Sequence, residues 1–214
     1  MTSIDSAIMW PNGKIYFFSG NQYYGYDIQN ESVDLTIYPR PIAGNWPGLA
    51  GVDIQGAIVW PELVGGRQKA YFFSQDQFYS YDLANNQVDP GSPLPTSLNW
   101  PGVLAGPQLD HRVDVAVQWP TGKVYLFQYD RYYGITNLVQ KKVDFNYPQF
   151  IQGNWPGLMA TGQEFRAAIV WPKLVGGRQK AYFFLNGLYM SYDIANDATD
   201  PNYPQPIQGN WQGL

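Results

Sequence analysis

Residues 57–73 read AIVWPELVGGRQKAYFF, and residues 168–184 read AIVWPKLVGGRQKAYFF. The two runs differ at one position, Glu62 against Lys173. Identity over so mixed a run of apolar, aromatic and turn residues marks an internal duplication, and a duplication decides the fold before local propensity does. Working outward, the same marks recur in two more units. Residues 7–11, 57–61, 116–120 and 168–172 each run Ala, two further residues, Trp and Pro. An aromatic strand follows at Ile15–Phe18, Ala70–Phe73, Val124–Phe127 and Ala181–Phe184, then a Tyr-rich strand at Tyr23–Tyr26, Phe78–Tyr81, Tyr132-Tyr133 and Tyr189–Tyr192. Each unit closes on Asn-Trp, at Asn45-Trp46, Asn99-Trp100, Asn154-Trp155 and Asn210-Trp211, with Trp spacings of 54, 55 and 56 residues. Units one and three share a short connection, Pro11–Lys14 and Pro120–Lys123, whereas units two and four share a longer one. The chain therefore reads as a duplicated half that was itself a duplication, with a pseudo-twofold axis on a pseudo-fourfold one.

Each unit predicts about four strands. In the first, Ser6–Trp10 is apolar and stops at a Pro, and Asn12-Gly13 is a strong hairpin signal. Lys14–Ser19 forms the second strand, Gly20-Asn21 turns the chain, and Gln22–Asp27 forms the third. A polar loop leads to a short fourth strand near Val33-Asp34, and the Pro- and Gly-rich stretch Tyr38–Leu49 closes the unit, with room for one helical turn. Four strands in some 50 residues is the size of a propeller blade. The expected fold is all-β: one four-bladed β-propeller over residues 1–214, with blades at about 1–50, 51–105, 106–159 and 160–214.

Composition agrees. Aromatics make up 17% and charged residues 14%, with 22 Gly and 17 Pro, a balance that favours short strands and tight turns and excludes a disordered chain. The absence of Cys removes disulfides, Cys zinc sites and thiol catalysis together. A net charge of −4 argues against a nucleic-acid surface. No apolar run is long enough to span a bilayer, and residues 1–10 lack the basic and apolar regions of a signal peptide, so a cytoplasmic location is expected.

The repeats resemble the hemopexin-like family, whose blade has a D-A-A/V start, a Y-F-F strand, a Tyr-x-Tyr-Asp strand end and a Y-P-x-x-I-x-x-x-F-P-G-I closing segment. That closing segment reads here Tyr38-Pro39-Arg40-Pro41-Ile42-Ala43-Gly44-Asn45-Trp46-Pro47-Gly48-Leu49, and recurs at Tyr147–Leu158 and, with Gln212 in place of Pro, at Tyr203–Leu214. Strand ends match at Tyr24–Asp27, Tyr79–Asp82 and Met190–Asp193; the third unit departs, with Gly134-Ile135-Thr136. The family's disulfide between first and last blades is missing, so Asn210–Leu214 is expected to pack beneath blade one and close the ring. The resemblance implies a non-enzymatic module that binds a small molecule, a glycan or a protein, and is compatible with a homodimer. It also brings in haem and polyamine binding, and storage, through the single-propeller seed albumins. Bis-His haem ligation within a monomer is excluded, because His111 is the only histidine; His111 or a Tyr remains as a single ligand.

Three candidate sites follow. A Trp face beside an amide, as at Asn45, Trp46, Asn99, Trp100, Asn154, Trp155, Asn210 and Trp211, is sugar-stacking chemistry and would make a multivalent lectin; the alternative is that each Trp wedges between neighbouring blades. Arg67, Lys69, Arg178 and Lys180 place basic groups on equivalent hairpins. Finally, Ala7, Ala57, Ala116 and Ala168 are small residues in bulky strands, as crowding at a fourfold axis requires. With the Tyr-Phe-Phe strands aligned, the resemblance implies a ring of main-chain carbonyls at Ser6, Gly56, Val115 and Ala167, and a second ring at Ile8, Ile58, Val117 and Ile169. These would hold Ca²⁺, Na⁺ or Mg²⁺, with chloride or water as further occupants. A catalytic site is not expected. Asp110 and Asp114 flank His111 in a linker, and Asp27, Asp82 and Asp193 recur once per blade as strand-end hydrogen-bonding residues do.

Overall fold

The computed structural model describes residues 3–104, 112–158 and 164–214. Four antiparallel sheets follow one another along the chain. The first contains β1 (Ser6–Trp10), β2 (Lys14–Ser19), β3 (Gln22–Asp27), β4 (Ser32–Val33) and β5 (Arg40–Pro41). The second contains β6 (Gly56–Val59), β7 (Lys69–Ser74), β8 (Gln77–Asp82), β9 (Gln87–Val88) and β10 (Leu94–Pro95), with the single-turn helix α1 (Thr96–Asn99) after it. The third contains β11 (Val115–Gln118), β12 (Val124–Gln128), β13 (Arg131–Ile135) and β14 (Gln149–Phe150). The fourth contains β15 (Ala167–Val175), β16 (Arg178–Phe184), β17 (Leu188–Asp193), β18 (Ala198–Thr199) and β19 (Gln205–Pro206). In each sheet the first long strand is an edge, hydrogen-bonded to the second alone, and the short pieces, two in the first, second and fourth sheets and one in the third, pair with the third long strand. Among the described residues the closing segment forms a helical turn only in blade two.

The four edge strands β1, β6, β11 and β15 contact one another in a ring, which makes the four-bladed propeller. The core lies between sheets. One buried cluster joins blades one and two through Ile8, Phe18, Trp46, Ala57, Phe72 and Tyr81. Equivalent clusters join blades two and three, three and four, and four and one. The repeated alanines belong to this packing. Ala57 shares its cluster with Ile8 of the preceding blade, Ala116 with Ile58, Ala168 with Val117, and Ala7 with Ile169. A large β-branched residue thus meets a small one at every inner junction, and small-against-large alternation is what fills a core without voids.

Each blade is also latched to the next by main chain. Val88 N–H donates to Pro47 O at 3.0 Å, Val143 to Pro101 at 3.0 Å, Thr199 to Pro156 at 2.9 Å, and Val33 to Gln212 at 2.9 Å. The last bond closes the ring between Asn210–Leu214 and blade one, as the missing disulfide led us to expect. The Gly after each acceptor is required twice over. Gly157 has φ +88°, and a Cβ there would lie 2.7 Å from Thr199 Cβ; Gly48, Gly102 and Gly213 stand in the same relation to Val88, Val143 and Val33.

The basic groups of the two long hairpins are paired with carboxylates of their own blades. Lys69 and Lys180 are buried. Lys69 Nζ lies 2.9 Å from Asp82 and 2.6 Å from Asp89, and Lys180 Nζ lies 3.1 Å from Asp193 and 2.6 Å from Asp200. Arg67 and Arg178, about half exposed, each pair with the same buried carboxylate at 2.9 Å. Asp82 and Asp193 cap the next turn as expected, accepting the N–H groups of Asn85 and Asn196 at 3.0 Å. The Asn85 N–H and the Lys69 ammonium hold Asp82 well below the usual carboxylate range. At Asp193 burial pushes the other way and is outweighed by Asn196, Lys180 and Arg178.

Candidate functional site

The propeller axis is walled by the free edges of β1, β6, β11 and β15. Their register fixes which carbonyls face it. Trp60 N–H donates to Lys69 O, and Trp119 N–H to Lys123 O, each at 2.8 Å. Hydrogen-bonded residues alternate along an antiparallel strand. With Ile58 opposite Tyr71 and Val117 opposite Tyr125, Gly56, Ile58, Val115 and Val117 therefore turn their carbonyls to the neighbouring strand. Ala57, Val59, Ala116 and Gln118 turn theirs to the axis. The same register in the other two blades groups Ser6, Ile8, Ala167 and Ile169 with the first set, and Ala7, Met9, Ala168 and Val170 with the second. The expected carbonyl rings at Ser6, Gly56, Val115 and Ala167 and at Ile8, Ile58, Val117 and Ile169 are thus displaced by one residue. The cause is the start of the strand. Asp5, Gln55, Asp114 and Arg166 each donate their N–H to the carbonyl of Phe18, Phe73, Phe127 and Phe184, one step out of the register that follows. Alignment on the second strand does not register that offset.

Three of those leading residues are also anchors, a role that their sequence context does not announce. Asp5 Oδ2 accepts the Gly20 N–H at 2.6 Å, Gln55 Oε1 that of Gln75 at 2.7 Å, and Asp114 Oδ2 that of Tyr129 at 2.8 Å. Asp114 is buried and bonded to Arg112 Nε at 2.6 Å, yet burial pushes its carboxyl up to about 6. His111, the histidine raised as a haem ligand, lies outside the described residues, as does Asp110.

At the hairpin end the channel widens into a cavity of about 560 Å³. Its floor is the four alanines, its walls are Met9, Val59, Gln118 and Val170, and its rim is Trp10, Trp60 and Trp119 with the prolines that follow them. Gln68 and Gln179 reach in from β7's approach and from β16. No ionised side chain lines it among the described residues. Hairpin length separates the rim residues. In blades two and four the long hairpins accompany buried indoles, Trp60 and Trp171, and Trp60 Nε1 donates to Leu138 O of the next blade at 3.2 Å. In blades one and three the short hairpins leave Trp10 and Trp119 half-buried, on opposite sides of the axis.

The Asn-Trp steps do not form a stacking surface. Trp46, Trp100, Trp155 and Trp211 are all buried, with relative exposures of 5%, 0%, 5% and 5%. Trp46 alone has the rings of Trp10, Tyr16, Phe18, Tyr23, Phe72 and Tyr81 within 6 Å, from two blades. The amides of Asn45, Asn99, Asn154 and Asn210 are spent on the carbonyl four residues back, at 2.9–3.0 Å. A sugar could reach these indoles only by prising blades apart, so the lectin expectation loses these eight residues and the wedge alternative stands. Among the described residues no three His, Cys, Asp or Glu side chains gather as a metal cluster, and no helix is long and apolar enough to cross a membrane.

Comparison with known proteins adds the following. The Hemopexin family model matches residues 4–50 and 63–103. Macrophage metalloelastase of Rattus norvegicus is 31% identical over 147 residues, 67% of this chain and 27% of that protein. Matrix metalloproteinase-21 of Xenopus laevis is 27% identical over 172 residues, 78% of this chain and 27% of that protein. The chain thus spans about a quarter of the length of these relatives. Among solved structures, a plant lectin with two metal binding sites from Cicer arietinum superposes with a TM-score of 0.78 at 18% identity, over 99% of this chain and 96% of that one. The hemopexin fold protein CP4 from cow pea gives 0.75 at 20% identity, again over 99% and 96%.

Proposed function

Because this chain carries hemopexin-like repeats in a single four-bladed propeller, we propose that it is a non-enzymatic binding module whose axial channel holds a hard cation on main-chain oxygens. The observation that carries this reading is the free edge of the inner strands. Eight carbonyls, those of Ala7, Ala57, Ala116, Ala168, Met9, Val59, Gln118 and Val170, turn to one axis with no strand opposite them. Converging carbonyl dipoles repel one another and favour a cation, and oxygen-only ligands suit Ca²⁺, Na⁺ or Mg²⁺ above softer metals. The ion would be structural, relieving that repulsion and tying four blades to one centre. A chloride or a water beside it would meet the N–H groups of the same edges.

Metal analysis of extensively dialysed protein, with melting curves in the presence and absence of chelator, tests this. One equivalent of a hard cation per chain, with a lower melting temperature in chelator for a divalent ion, is the expected result. Dialysed protein free of stoichiometric cation, whose melting temperature does not respond to added Ca²⁺, Na⁺ or Mg²⁺, overturns it. For haem, the single ligand would be His111, which lies outside the described residues, or a Tyr, and a Soret-band titration with haem decides that reading.

A further inference from the structure

We propose that the cavity at the hairpin mouth of the channel binds one uncharged polyhydroxylated ring, a sugar residue, held between Trp10 and Trp119 and hydrogen-bonded by Gln68, Gln118 and Gln179. The site adds to the cation reading and does not depend on it. Its volume of about 560 Å³ far exceeds an ion and a few waters, each water taking roughly 30 Å³ of liquid, and falls in the range of small-molecule sites.

The lining selects the class of ligand. Among the described residues a carboxylate or phosphate would find no lysine, arginine or histidine on the walls, and an ammonium would find no aspartate or glutamate, only the axial main-chain carbonyls. What it offers instead is amides and indoles. Among the described residues no hydrogen bond is made by the side-chain amides of Gln118 and Gln179; Gln68 donates one N–H to the Trp60 carbonyl and its own oxygen accepts none. An amide both donates and accepts, which matches hydroxyl groups, themselves donors and acceptors. The axial carbonyls of the floor and walls add acceptors only. The half-buried indoles on the rim present apolar surface to the C–H face of a ring. Gln118 stands on blade three where Met9 stands on blade one, so the near-twofold site has one polar and one apolar end and would hold its ligand in a single orientation.

Why these residues lie open and the Asn-Trp steps do not follows from the duplication. Long hairpins accompany the buried Trp60 and Trp171, and short hairpins leave Trp10 and Trp119 at the rim. A site of this kind is single and axial, one per propeller, in place of four at the blade junctions.

The test is saturation-transfer NMR on the full chain with a panel of neutral hexoses, pentoses, deoxyhexoses and N-acetylhexosamines at millimolar concentration, with putrescine and glucuronic acid as charged probes. The expected result is transfer to at least one neutral sugar, and at least a tenfold loss of its affinity in Gln118→Ala/Gln179→Ala at an unchanged melting temperature. Trp119→Phe, which keeps an aromatic ring on the rim, should weaken the same sugar. The proposal is overturned by no transfer to any neutral sugar, by binding that the double variant leaves intact, or by a stronger response to either charged probe. Absence of any stoichiometric cation with sugar binding present would count against the cation reading alone, and a bound cation with no sugar binding against this one alone.

Discussion

Trp155 spends its large side chain on a junction. It lies 5.1 Å from Trp119 and from Phe127 in its own blade, and 5.9 Å from Phe183 and 5.4 Å from Tyr192 in the next. Truncation leaves a hole that neither rigid sheet can fill, so Trp155→Ala should cost about 3–5 kcal/mol in chemical denaturation, while Trp155→Phe costs clearly less. The sequence made Trp155 conspicuous by its period but could not say whether the ring faces solvent or a neighbour, because one period serves both roles. A second residue acts through charge. Burial pushes the Asp114 carboxyl up to about 6 against an ordinary value near 4. An acid whose pKa is higher folded than unfolded favours the fold while protonated. Its stabilising effect is complete below pH 4, is lost as pH rises to about 6, and is constant above. Asp82 and Asp193, held low, have the opposite sign: their contribution is present at neutral pH and is lost as pH falls below the ordinary carboxylate range. Denaturation midpoints from pH 3 to 8 should therefore show a decline between 4 and 6 that Asp114→Asn removes. An unchanged profile in that variant would place the titration elsewhere.

Among elements, the latch between closing segment and next blade is the most economical device in the molecule: one main-chain hydrogen bond and one glycine, used four times. Gly157→Ala forces a side chain into a left-handed backbone position and onto Thr199 Cβ at 2.7 Å. With about 1–2 kcal/mol for the backbone and about 1–3 for the overpacking, a loss of about 2–5 kcal/mol is expected in urea denaturation. Gly153→Ala, also at positive φ but with nothing within 4 Å of its Cβ, should show the backbone part alone. A difference of less than half a kcal/mol between the two would remove the contact from the account. Strands were the most legible elements. Ser6–Trp10, Lys14–Ser19 and Gln22–Asp27 could be placed from turn chemistry and alternation, and the structure has them at those bounds. The direction of each carbonyl was not legible. It depends on parity counted from a hydrogen bond, and the offset at Asp5, Gln55, Asp114 and Arg166 leaves no trace in residue type. The rim of the cavity was half-legible. The alternation of short and long hairpins stood in the sequence, but its consequence for Trp10 and Trp119 needed the blades side by side.

For the whole molecule the ring must be closed without a covalent link, and the segment Asn210–Leu214 closes it. Trp211 is buried at the junction of blades four and one, 4.9 Å from Phe184 on its own side and 5.8 Å from Phe17 and 5.2 Å from Tyr26 across it. Gln212 O accepts the Val33 N–H at 2.9 Å, and Gly213 lies against Val33. A fourth cluster, containing Ala7, Ile15, Phe17, Ile169, Phe184 and Trp211, depends on that seam. Each blade buries its faces only against neighbours, so an open ring exposes two faces at once, of blades four and one, and the free energy lost is not confined to the residues removed. Deleting 211–214 should therefore cost at least what a lost large core side chain does, about 3–5 kcal/mol, and should lower the melting temperature by many degrees in one transition. A single transition is the informative part. If the blades were independent, truncation would leave blades two and three melting as before and produce a second, lower step. If the truncated chain melts within a degree or two of the intact one, the seam is not what closes the ring. A disulfide engineered across it, between positions 33 and 212 replaced by Cys, offers the converse measurement: oxidation should raise the melting temperature, and reduction should restore the parent value.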